Sequence, residues 1–309
     1  MFREGVLGTM QGPVDWVAVD WGTSNLRLFG MDPTGAIAFS RSSPDGMGKL
    51  SREQYPGILT ALLGDIEGPI DVLVCGMAGA RQGWMEAPYL DAPADLSRLI
   101  DGAVSPEMNN DISVSILPGV CQRDIGAEDV MRGEETQILG LSALDPGFSG
   151  LVVMPGTHSK WALVDGPVLK RFSSAMTGEL FDVLRTHSVL RHSFVGELEG
   201  EDRDIGVDAG LDQGLAHPER LTATLFKVRA GALLSGRSPA YCAGFLSGLL
   251  IGAEIGGQRD WIGAGDIPLI GSVSLSALYQ RGFARLGQKT RIIDATDATL
   301  AGLKAARKG

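Results

Sequence analysis

Two segments of this chain, residues 17–40 and 151–172, repeat one pattern of residues. Each segment predicts a strand that ends in a Gly-Thr turn, a second strand, a turn containing glycine, and a third strand. Thr23 in the first segment aligns with Thr157 in the second, so the repeat is offset by about half of the 309 residues. Because a matched pair at this spacing indicates a duplicated domain, we expect two domains, residues 1–145 and 146–309.

The two Gly-Thr turns have the composition of phosphate-binding turns. Glycine lets the backbone approach a ligand closely, and successive N–H groups can then point at phosphate oxygens. Hydroxyl groups beside the glycines add uncharged donors. Ordinary hairpins with glycine in the turn are the alternative interpretation. The predicted nucleotide-binding residues of the two turns are Asp20, Gly22, Thr23, Ser24, Gly156, Thr157, His158 and Ser159.

The two copies differ at Asp20, which corresponds to Met154 in the second copy. A carboxylate beside a polyphosphate repels it unless a divalent cation lies between them, and Mg²⁺ is the cation that such sites bind. The asymmetry therefore predicts one Mg²⁺ position, with Asp20 as its protein ligand.

The composition indicates a globular enzyme. Apolar residues make up 44% of the chain and charged residues 21%, as in soluble proteins. The net charge of −10 argues against a nucleic-acid-binding surface. We expect no signal peptide in residues 1–16 and no membrane span in the apolar stretch 240–255, which glycines interrupt and which is too short. Since the three cysteines follow no paired-ligand pattern, we expect a reduced cytoplasmic protein.

The remaining pattern predicts an α/β fold. Three strands in each half are followed by helices and further strands, which indicates a mixed sheet flanked by helices. Two such copies would leave a cleft between the domains. Residues 196–218 are acidic and lack apolar periodicity, so they are predicted to form a loop with a turn or more of helix. The predicted helices are 52–66, from 134, 177–190, 220–235, from 240, 275–286 and 298–306.

Two adjacent carboxylates, Glu134 and Glu135, open a predicted helix. Acidic residues at a helix start commonly compensate the helix dipole. Alternatively, a carboxylate can accept the proton of a hydroxyl that attacks a γ-phosphoryl group. Because Glu134 shares a helical face with Ile138 and Leu141, it is predicted to point inward, which favours Glu134 over Glu135 as the catalytic base.

A glycine-rich loop, residues 76–84, follows a predicted buried strand and is typical of a segment that lines a pocket. Arg81 could bind a carboxylate and Trp84 could offer a flat apolar face to a carbon chain. Alternatively, Trp84 belongs to the core and Arg81 to the solvated surface. Arg132, just before the glutamate pair, is the other candidate for a carboxylate.

Several of these segments resemble one family of sugar-acid kinases. The paired turns are similar to the phosphate-binding hairpins of the superfamily that contains sugar kinases, hexokinase, actin and heat-shock ATPases. The likeness to 2-dehydro-3-deoxygalactonokinases runs from about Val14 to Ala305. Its blocks are DWGTSNLR, GMAGARQGWMEAPYL, VMRGEETQILG, MPGTHSKW, MTGEL, FLSGLLIGAE, and Gly271-Ser272 followed by SLSALYQ.

The resemblance implies two duplicated ribonuclease H-like domains, the actin-like ATPase fold. It implies ATP-dependent phosphorylation of the terminal hydroxyl of 2-keto-3-deoxygalactonate, with Mg²⁺ as cofactor and the adenosine at Gly271 and Ser272. It supports the loop 76–84 as the sugar site, and the related exopolyphosphatases favour Glu134 as the base. The partners are then ATP and a small sugar acid, with no nucleic acid or membrane.

Two other classes share this fold. A phosphohydrolase would act on polyphosphate or a nucleotide with water as acceptor. A chaperone-like or filament ATPase would need an additional partner-binding domain, for which 309 residues leave little room. The sequence does not distinguish the galactonate-derived from the gluconate-derived substrate, and it leaves the oligomeric state open, including a homo-oligomer.

Overall fold

The computed structural model describes residues 6–7, 12–64, 66, 68–108 and 111–308. The strands in these ranges are β1 (Val6–Leu7), β2 (Trp16–Trp21), β3 (Leu26–Met31), β4 (Ile37–Ser43), β5 (Ile70–Gly76), β6 (Tyr89–Asp91), β7 (Ala94–Asp95), β8 (Ile112–Ile116), β9 (Gly119–Gln122), β10 (Asp129–Met131), β11 (Ser149–Met154), β12 (Ser159–Asp165), β13 (Val168–Ala175), β14 (Ile267–Gly271) and β15 (Thr290–Asp294). The α-helices are α1 (Tyr55–Leu63), α2 (Glu134–Leu144), α3 (Thr177–Thr186), α4 (Glu201–Ala216), α5 (Leu221–Leu234), α6 (Pro239–Gly257), α7 (Val273–Arg285) and α8 (Ala295–Lys308).

Two six-stranded sheets share one strand order, which supports the duplication. The first runs β1-β4-β3-β2-β5-β8, and the second, read from its other edge, runs β7-β13-β12-β11-β14-β15. In the first sheet β2 pairs antiparallel with β3 and parallel with β5. In the second, β14 pairs parallel with both β11 and β15. The predicted α/β class with mixed sheets is therefore confirmed.

By its internal contacts the chain divides into two units. The first comprises the described residues up to Ser149, residues 164–171 and the segment from Ala295; the second comprises residues 150–163 and 172–294. These units differ from the predicted domains 1–145 and 146–309 in assigning 164–171 and α8 to the first unit. A Cβ on Gly140 of α2 would lie 1.8 Å from the carbonyl oxygen of Ala298, so only glycine allows α2 and α8 to pack this closely.

The segment predicted to be a loop is instead helical, since α4 occupies residues 201–216. Glycines in both helices allow α4 to pack closely against α6. A Cβ on Gly206 would lie 2.3 Å from the carbonyl oxygen of Tyr241, and one on Gly248 would lie 2.1 Å from that of Val207. Composition argued against a helix because the segment lacks apolar periodicity and because glycine and aspartate have low intrinsic preference for one. Tertiary packing, not local propensity, stabilises α4.

Helix α6 is longer than the sequence suggested. It has 19 residues with a mean hydropathy of 1.3 over its most apolar window, so length and composition alone would allow it to cross a membrane. In this structure 78% of that window is buried inside the protein. Its side chains form the core of the second unit with α4, α5 and the neighbouring strands.

Candidate active site

The turn after β2 presents backbone amides to solvent. Gly22 closes it by donating to the carbonyl oxygen of Asn25 at 2.9 Å. On its other side the turn is supported by the next loop, where Met47 and Gly48 donate to the carbonyl oxygens of Gly22 and Thr23 at 3.0 and 2.9 Å. Within the described residues, the N–H groups of the exposed Thr23 and Ser24 make no backbone hydrogen bond. They can therefore donate to an anion.

Two features of the supporting loop were not predicted from the sequence. A Cβ on Gly46 would lie 2.3 Å from the carbonyl carbon of Ser24, so glycine is required there. The ammonium group of Lys49 binds the carbonyl oxygens of Pro44 and Ser24 at 2.6 and 3.3 Å. Lys49 thus adds a positive charge beside the turn. The run Gly46-Met47-Gly48-Lys49 is a signal that could have indicated it.

Asp20 lies at the end of β2, with its side chain 19% exposed. Its Oδ2 is 2.5 Å from Nη2 of Arg27, whose Nη1 donates to Thr296 Oγ1 at 2.7 Å. The described part of the chain holds no group of three or more His, Cys, Asp or Glu side chains arranged for a metal ion. One carboxylate next to an anion-binding turn still fits Mg²⁺, because this cation takes one or two carboxylates and completes its shell with phosphates and water.

Two glycines with left-handed backbone bring the start of α2 to the ends of β2 and β5. Gly76 has φ +89°, and a Cβ there would lie 2.8 Å from the carbonyl oxygen of Trp21 and 3.5 Å from Asp20 Oδ1. Gly133 has φ +107°, and its Cβ would lie 3.3 Å from Cα of Gly76. The glutamate pair therefore lies next to Asp20.

The orientation predicted for the glutamates is wrong. Glu135 is the buried one, at 1% exposure, whereas Glu134 is half-buried. Glu135 accepts from the Gly133 amide at 2.7 Å through Oε2 and from the Thr136 hydroxyl at 3.0 Å through Oε1. Glu134 Oε2 accepts from the Arg132 amide at 3.0 Å. Because both carboxylates bind back to the turn before the helix, helical periodicity did not predict their burial.

Burial raises the pKa of Glu135 to about 7, and the neighbouring charge of Glu134 adds to this effect. The same electrostatics appear at Cys75, which pairs with Asp20 across the sheet. Burial raises the pKa of the Cys75 thiol well above its usual value, with further contributions from the charges of Asp20 and Glu135. Four acidic or potentially acidic groups, Asp20, Cys75, Glu134 and Glu135, thus lie around the ends of β2 and β5.

Arg132 is a buried cation whose donors are only partly used. The side chain is 8% exposed and its Nη2 donates to the carbonyl oxygen of Ala87 at 2.9 Å. The guanidinium lies over the ring of Tyr89, with Cζ 4.4 Å from the ring centroid. Nε and Nη1 are buried and have no hydrogen-bond partner among the described residues. A buried guanidinium with two unused donors favours an anionic ligand.

The loop after β5 places its two predicted site residues differently. Arg81 is exposed. Trp84 is 7% exposed and stacks on Tyr55 at a ring-centroid distance of 5.7 Å, with Trp21 against its edge at 5.9 Å. Trp84 therefore packs as a core residue of the first unit, which was the alternative interpretation of its position.

In the second unit, the turn between β11 and β12 is held by α3. Glu179 donates its amide to the carbonyl oxygen of Thr157 at 3.0 Å, and its carboxylate lies 2.5 Å from Nε2 of His158. A Cβ on Gly178 would lie 2.5 Å from the carbonyl oxygen of Gly156. Thr157 and His158 are exposed. Ser159, predicted to face the ligand, is fully buried, and its hydroxyl lies 2.8 Å from that of Tyr279.

A cavity of about 370 Å³ lies beside this turn. Gly271, at the end of β14, lies against the turn, since a Cβ there would be 3.1 Å from the carbonyl oxygen of Pro155. Ser272 caps α7, its hydroxyl accepting from the Leu275 amide at 3.4 Å. The cavity is lined by the turn, α3, α4, α6 and α7, namely by Gly156, Thr157, Thr177, Gly178, Phe181, Asp182, Arg203, Ser247, Leu250, Ile251, Ser274, Leu275, Leu278 and Tyr279.

A model of one protein family, described as 2-keto-3-deoxy-galactonokinase, matches residues 20–306. The chain belongs to the 2-keto-3-deoxy-galactonokinase family. The resemblance seen in the sequence is thereby confirmed, and the chain is a member of a kinase family.

Relatives of this 2-keto-3-deoxy-galactonokinase family member match over nearly their whole length. A probable 2-dehydro-3-deoxygalactonokinase of Rhizobium meliloti (strain 1021) is 41% identical over 95% of this chain and 96% of the relative. The 2-dehydro-3-deoxygalactonokinase of Escherichia coli (strain K12) is 36% identical over 94% and 96%. A crystal structure from Sinorhizobium meliloti, described as a putative enzyme of the same name, has a TM-score of 0.86 and 39% identity over 95% and 96%.

A more distant structure shares only the fold. Component A of (R)-2-hydroxyglutaryl-CoA dehydratase from Acidaminococcus fermentans has a TM-score of 0.54 at 13% identity, covering 95% of this chain and 98% of that one. The predicted actin-like ATPase fold is supported by this neighbour.

In this 2-keto-3-deoxy-galactonokinase family member, the predicted residues form two groups. The first unit brings together the turn at residues 20–24, the glutamate pair and Arg132. The second unit brings together the turn at residues 156–158, Gly271 and a cavity. Trp84 and Ser159 lie in the cores instead.

Proposed function

We propose that this chain transfers the γ-phosphoryl group of ATP to the terminal hydroxyl of a 2-keto-3-deoxy sugar acid, most directly 2-keto-3-deoxygalactonate. Membership of the family supports the reaction and the substrate. Binding of a sugar acid is supported mainly by Arg132, whose buried guanidinium has unused Nε and Nη1 donors and whose backbone amide binds Glu134. Such a group can give a carboxylate charge-assisted hydrogen bonds.

Arg132 orients the acid end of the substrate. Its aromatic neighbour Tyr89 and the carbonyl of Ala87 hold the guanidinium in one position before the ligand arrives. A pre-positioned cation costs little ordering entropy on binding and fixes the carbon chain relative to the glutamates. Arg81, which is exposed in the loop 76–84, would add a second positive charge for the acid.

Glu134 is our candidate for the catalytic base. It is half-buried, whereas both oxygens of the fully buried Glu135 already accept hydrogen bonds. A base must reach the acceptor hydroxyl and take its proton as the phosphoryl group is transferred. Glu135 would instead hold the Gly133 turn in place and keep Glu134 next to Asp20.

Each of the two turns supplies candidate donors for the phosphates of ATP. The amides of Thr23 and Ser24 in the first unit, and the turn residues Gly156 to His158 in the second, would donate to phosphate oxygens. The cavity of about 370 Å³ has both apolar and polar side chains in its lining and lies beside the turn that Gly271 contacts, which supports it as the site of the adenosine. Its size suits a nucleoside.

Mg²⁺ would be held by Asp20 and by the phosphates. When bound, it neutralises charge on the β- and γ-phosphates. Arg27, at 2.5 Å from Asp20, holds this carboxylate in place. Galactonate catabolism and a cytoplasmic location complete the proposal, and the latter is supported by three buried free cysteines.

The test is ADP formation by the purified protein with Mg²⁺-ATP and a panel of acceptors. The panel contains 2-keto-3-deoxygalactonate, its gluconate-derived epimer, the corresponding sugar without a carboxylate, and water alone. We expect rapid turnover with the galactonate-derived acid and little with the uncharged sugar. Phosphate release as fast with water as with any acid would indicate a phosphohydrolase and contradict the proposal.

A further inference from the structure

A second buried carboxylate, Glu254 on α6, lies beneath the cavity of the second unit, and the phosphoryl-transfer chemistry proposed above does not use it. It is 8% exposed and accepts several hydrogen bonds from side chains. Trp161 Nε1 donates to Oε1 at 2.7 Å, Tyr279 donates its hydroxyl to Oε2 at 2.6 Å, and the Thr177 hydroxyl also donates to Oε2. Burial raises its pKa, and these hydrogen bonds oppose that effect.

The direction of each hydrogen bond follows from the donors available. The indole of Trp161 can only donate. Tyr279 donates to the carboxylate, so its oxygen accepts from Ser159, whose hydroxyl lies 2.8 Å away. Glu254 therefore accepts hydrogen bonds directly from its neighbours, and Tyr279 also links it to Ser159. A buried carboxylate that is fully hydrogen-bonded holds its partners strongly.

The residues bound to Glu254 lie next to the turn at residues 155–158 or in the lining of the cavity. Ser159 is the first residue after the turn at residues 155–158, and Thr177 is the first residue of α3, which binds that turn. Thr177 and Tyr279 themselves line the cavity with Gly156 and Thr157. One carboxylate thus joins β12, α3 and α7.

Helix α6, which carries Glu254, packs closely against α4. A Cβ on Gly252, two residues before Glu254, would lie 2.7 Å from the carbonyl oxygen of Leu211 in α4. Gly244 and Gly248 lie even closer to α4, so the helix cannot shift sideways without losing a tight contact. These contacts between α6 and α4 therefore hold the backbone of Glu254 in place.

We propose that Glu254 is a positioning residue for nucleotide binding, which acts through Thr177 and Tyr279 on the turn at residues 155–158 and on the wall of the cavity. This inference rests on the proposed function, because it assigns the cavity to the adenosine of ATP. Glu254 itself touches no substrate. Its loss should weaken ATP binding without affecting the sugar acid, whose proposed site lies in the first unit.

The test measures the Kd for ATP by calorimetry without sugar acid, on the full-length protein. Glu254→Gln places an amide donor among three donors and should weaken ATP binding by about 10- to 100-fold. Thr177→Val removes one hydroxyl and should weaken it about tenfold, whereas Thr177→Ser keeps the hydroxyl and should bind like the wild type. The KM for the sugar acid should stay within about twofold in all of them.

The double variant separates positioning from direct contact. If Thr177 acts through Glu254, Glu254→Gln with Thr177→Val should bind ATP about as well as Glu254→Gln alone. Losses that multiply, or wild-type ATP affinity in Glu254→Gln or in Thr177→Val, would overturn the inference. If Glu254→Gln does not fold, Trp161→Phe decides: it removes a donor to Glu254 that lies outside the cavity lining, so it should weaken ATP binding, and wild-type affinity would overturn the inference. A wild-type protein that binds ATP but phosphorylates no sugar acid contradicts only the proposed function; one that binds no ATP contradicts both.

Discussion

The backbone amide of Gly133 lies 2.7 Å from Oε2 of Glu135, so this carboxylate folds back onto the start of its own helix. Its neighbour Glu134 receives the amide of Arg132 at 3.0 Å and stays half-buried. The two adjacent carboxylates therefore lie in different environments, because Glu135 is buried and Glu134 is accessible. This difference separates their proposed roles, since only the accessible group can reach an acceptor hydroxyl.

Replacing Glu134 with Gln should slow phosphoryl transfer by about 10²- to 10⁴-fold, because the variant cannot accept the hydroxyl proton. The affinity for ATP should change little. Steady-state kcat and the Kd for ATP check both expectations. Glu135→Gln is the matched control, expected to lower kcat less than tenfold because its amide oxygen can still accept from Gly133. A larger loss in Glu135→Gln than in Glu134→Gln would reverse the assignment.

The raised pKa of Glu135 makes stability depend on pH. In the folded protein the group titrates near 7, against 4.5 for an ordinary glutamate. Between these values the folded state binds the extra proton, so the contribution of Glu135 is complete below pH 4.5 and is lost as the pH rises through 7. The loss is on the order of 3 kcal/mol.

Urea unfolding at pH 5 and pH 8 measures this effect as a difference between two proteins. We expect the wild type to lose free energy of unfolding relative to Glu135→Gln over this interval, because glutamine does not titrate. Parallel pH profiles for the two proteins would show that Glu135 titrates at an ordinary pKa.

Replacing Arg132 with Gln should raise the KM for the sugar acid by about 100-fold or more, since a buried charge-assisted pair is lost. Arg81→Gln is the matched control, and its exposed guanidinium should matter less than about fivefold. Neither change should alter the KM for ATP. The initial rates at varied sugar acid and fixed ATP give these values. The reverse ranking would place the carboxylate at Arg81.

The glycines of α6 predict a sharp contrast between two substitutions of the same type. Gly248→Ala should destabilise the protein by about 2 kcal/mol or more, because the new Cβ would meet the Val207 carbonyl oxygen at 2.1 Å. Gly57→Ala in α1 meets nothing within 4 Å and should stabilise it by about 0.5–1 kcal/mol. Denaturant unfolding of both variants tests the pair, and equal effects would contradict the packing of α4 on α6.

The sequence predicted the three consecutive strands in each half and the Gly-Thr turn after the first of them, because these depend on local patterns of apolar residues and glycine. It failed for α4, whose glycines fit a helix only when α6 packs against them. It failed for Glu135 and Ser159, whose burial depends on hydrogen bonds to Gly133 and Tyr279 rather than on helical or strand periodicity. For Trp84 the sequence allowed two interpretations, a flat surface for the ligand or a core residue. Its contacts with the rings of Trp21 and Tyr55 show that it is a core residue.

The unused donors of Arg132 could be found only in three dimensions. Its position before the glutamate pair made it one of two candidates, equal to Arg81 by residue type. Burial beneath Tyr89 and the missing partners of Nε and Nη1 separate the two arginines. Neither property leaves a signal in a single sequence.

The most direct test of the account is the identity of the product formed from ATP and 2-keto-3-deoxygalactonate, followed by phosphorus NMR of the reaction mixture. We predict a phosphomonoester resonance coupled to the protons of the terminal carbon, growing in step with ADP and absent without the sugar acid. Inorganic phosphate as the sole new product, at the same rate with and without the acid, would contradict the assignment of this chain as a sugar-acid kinase.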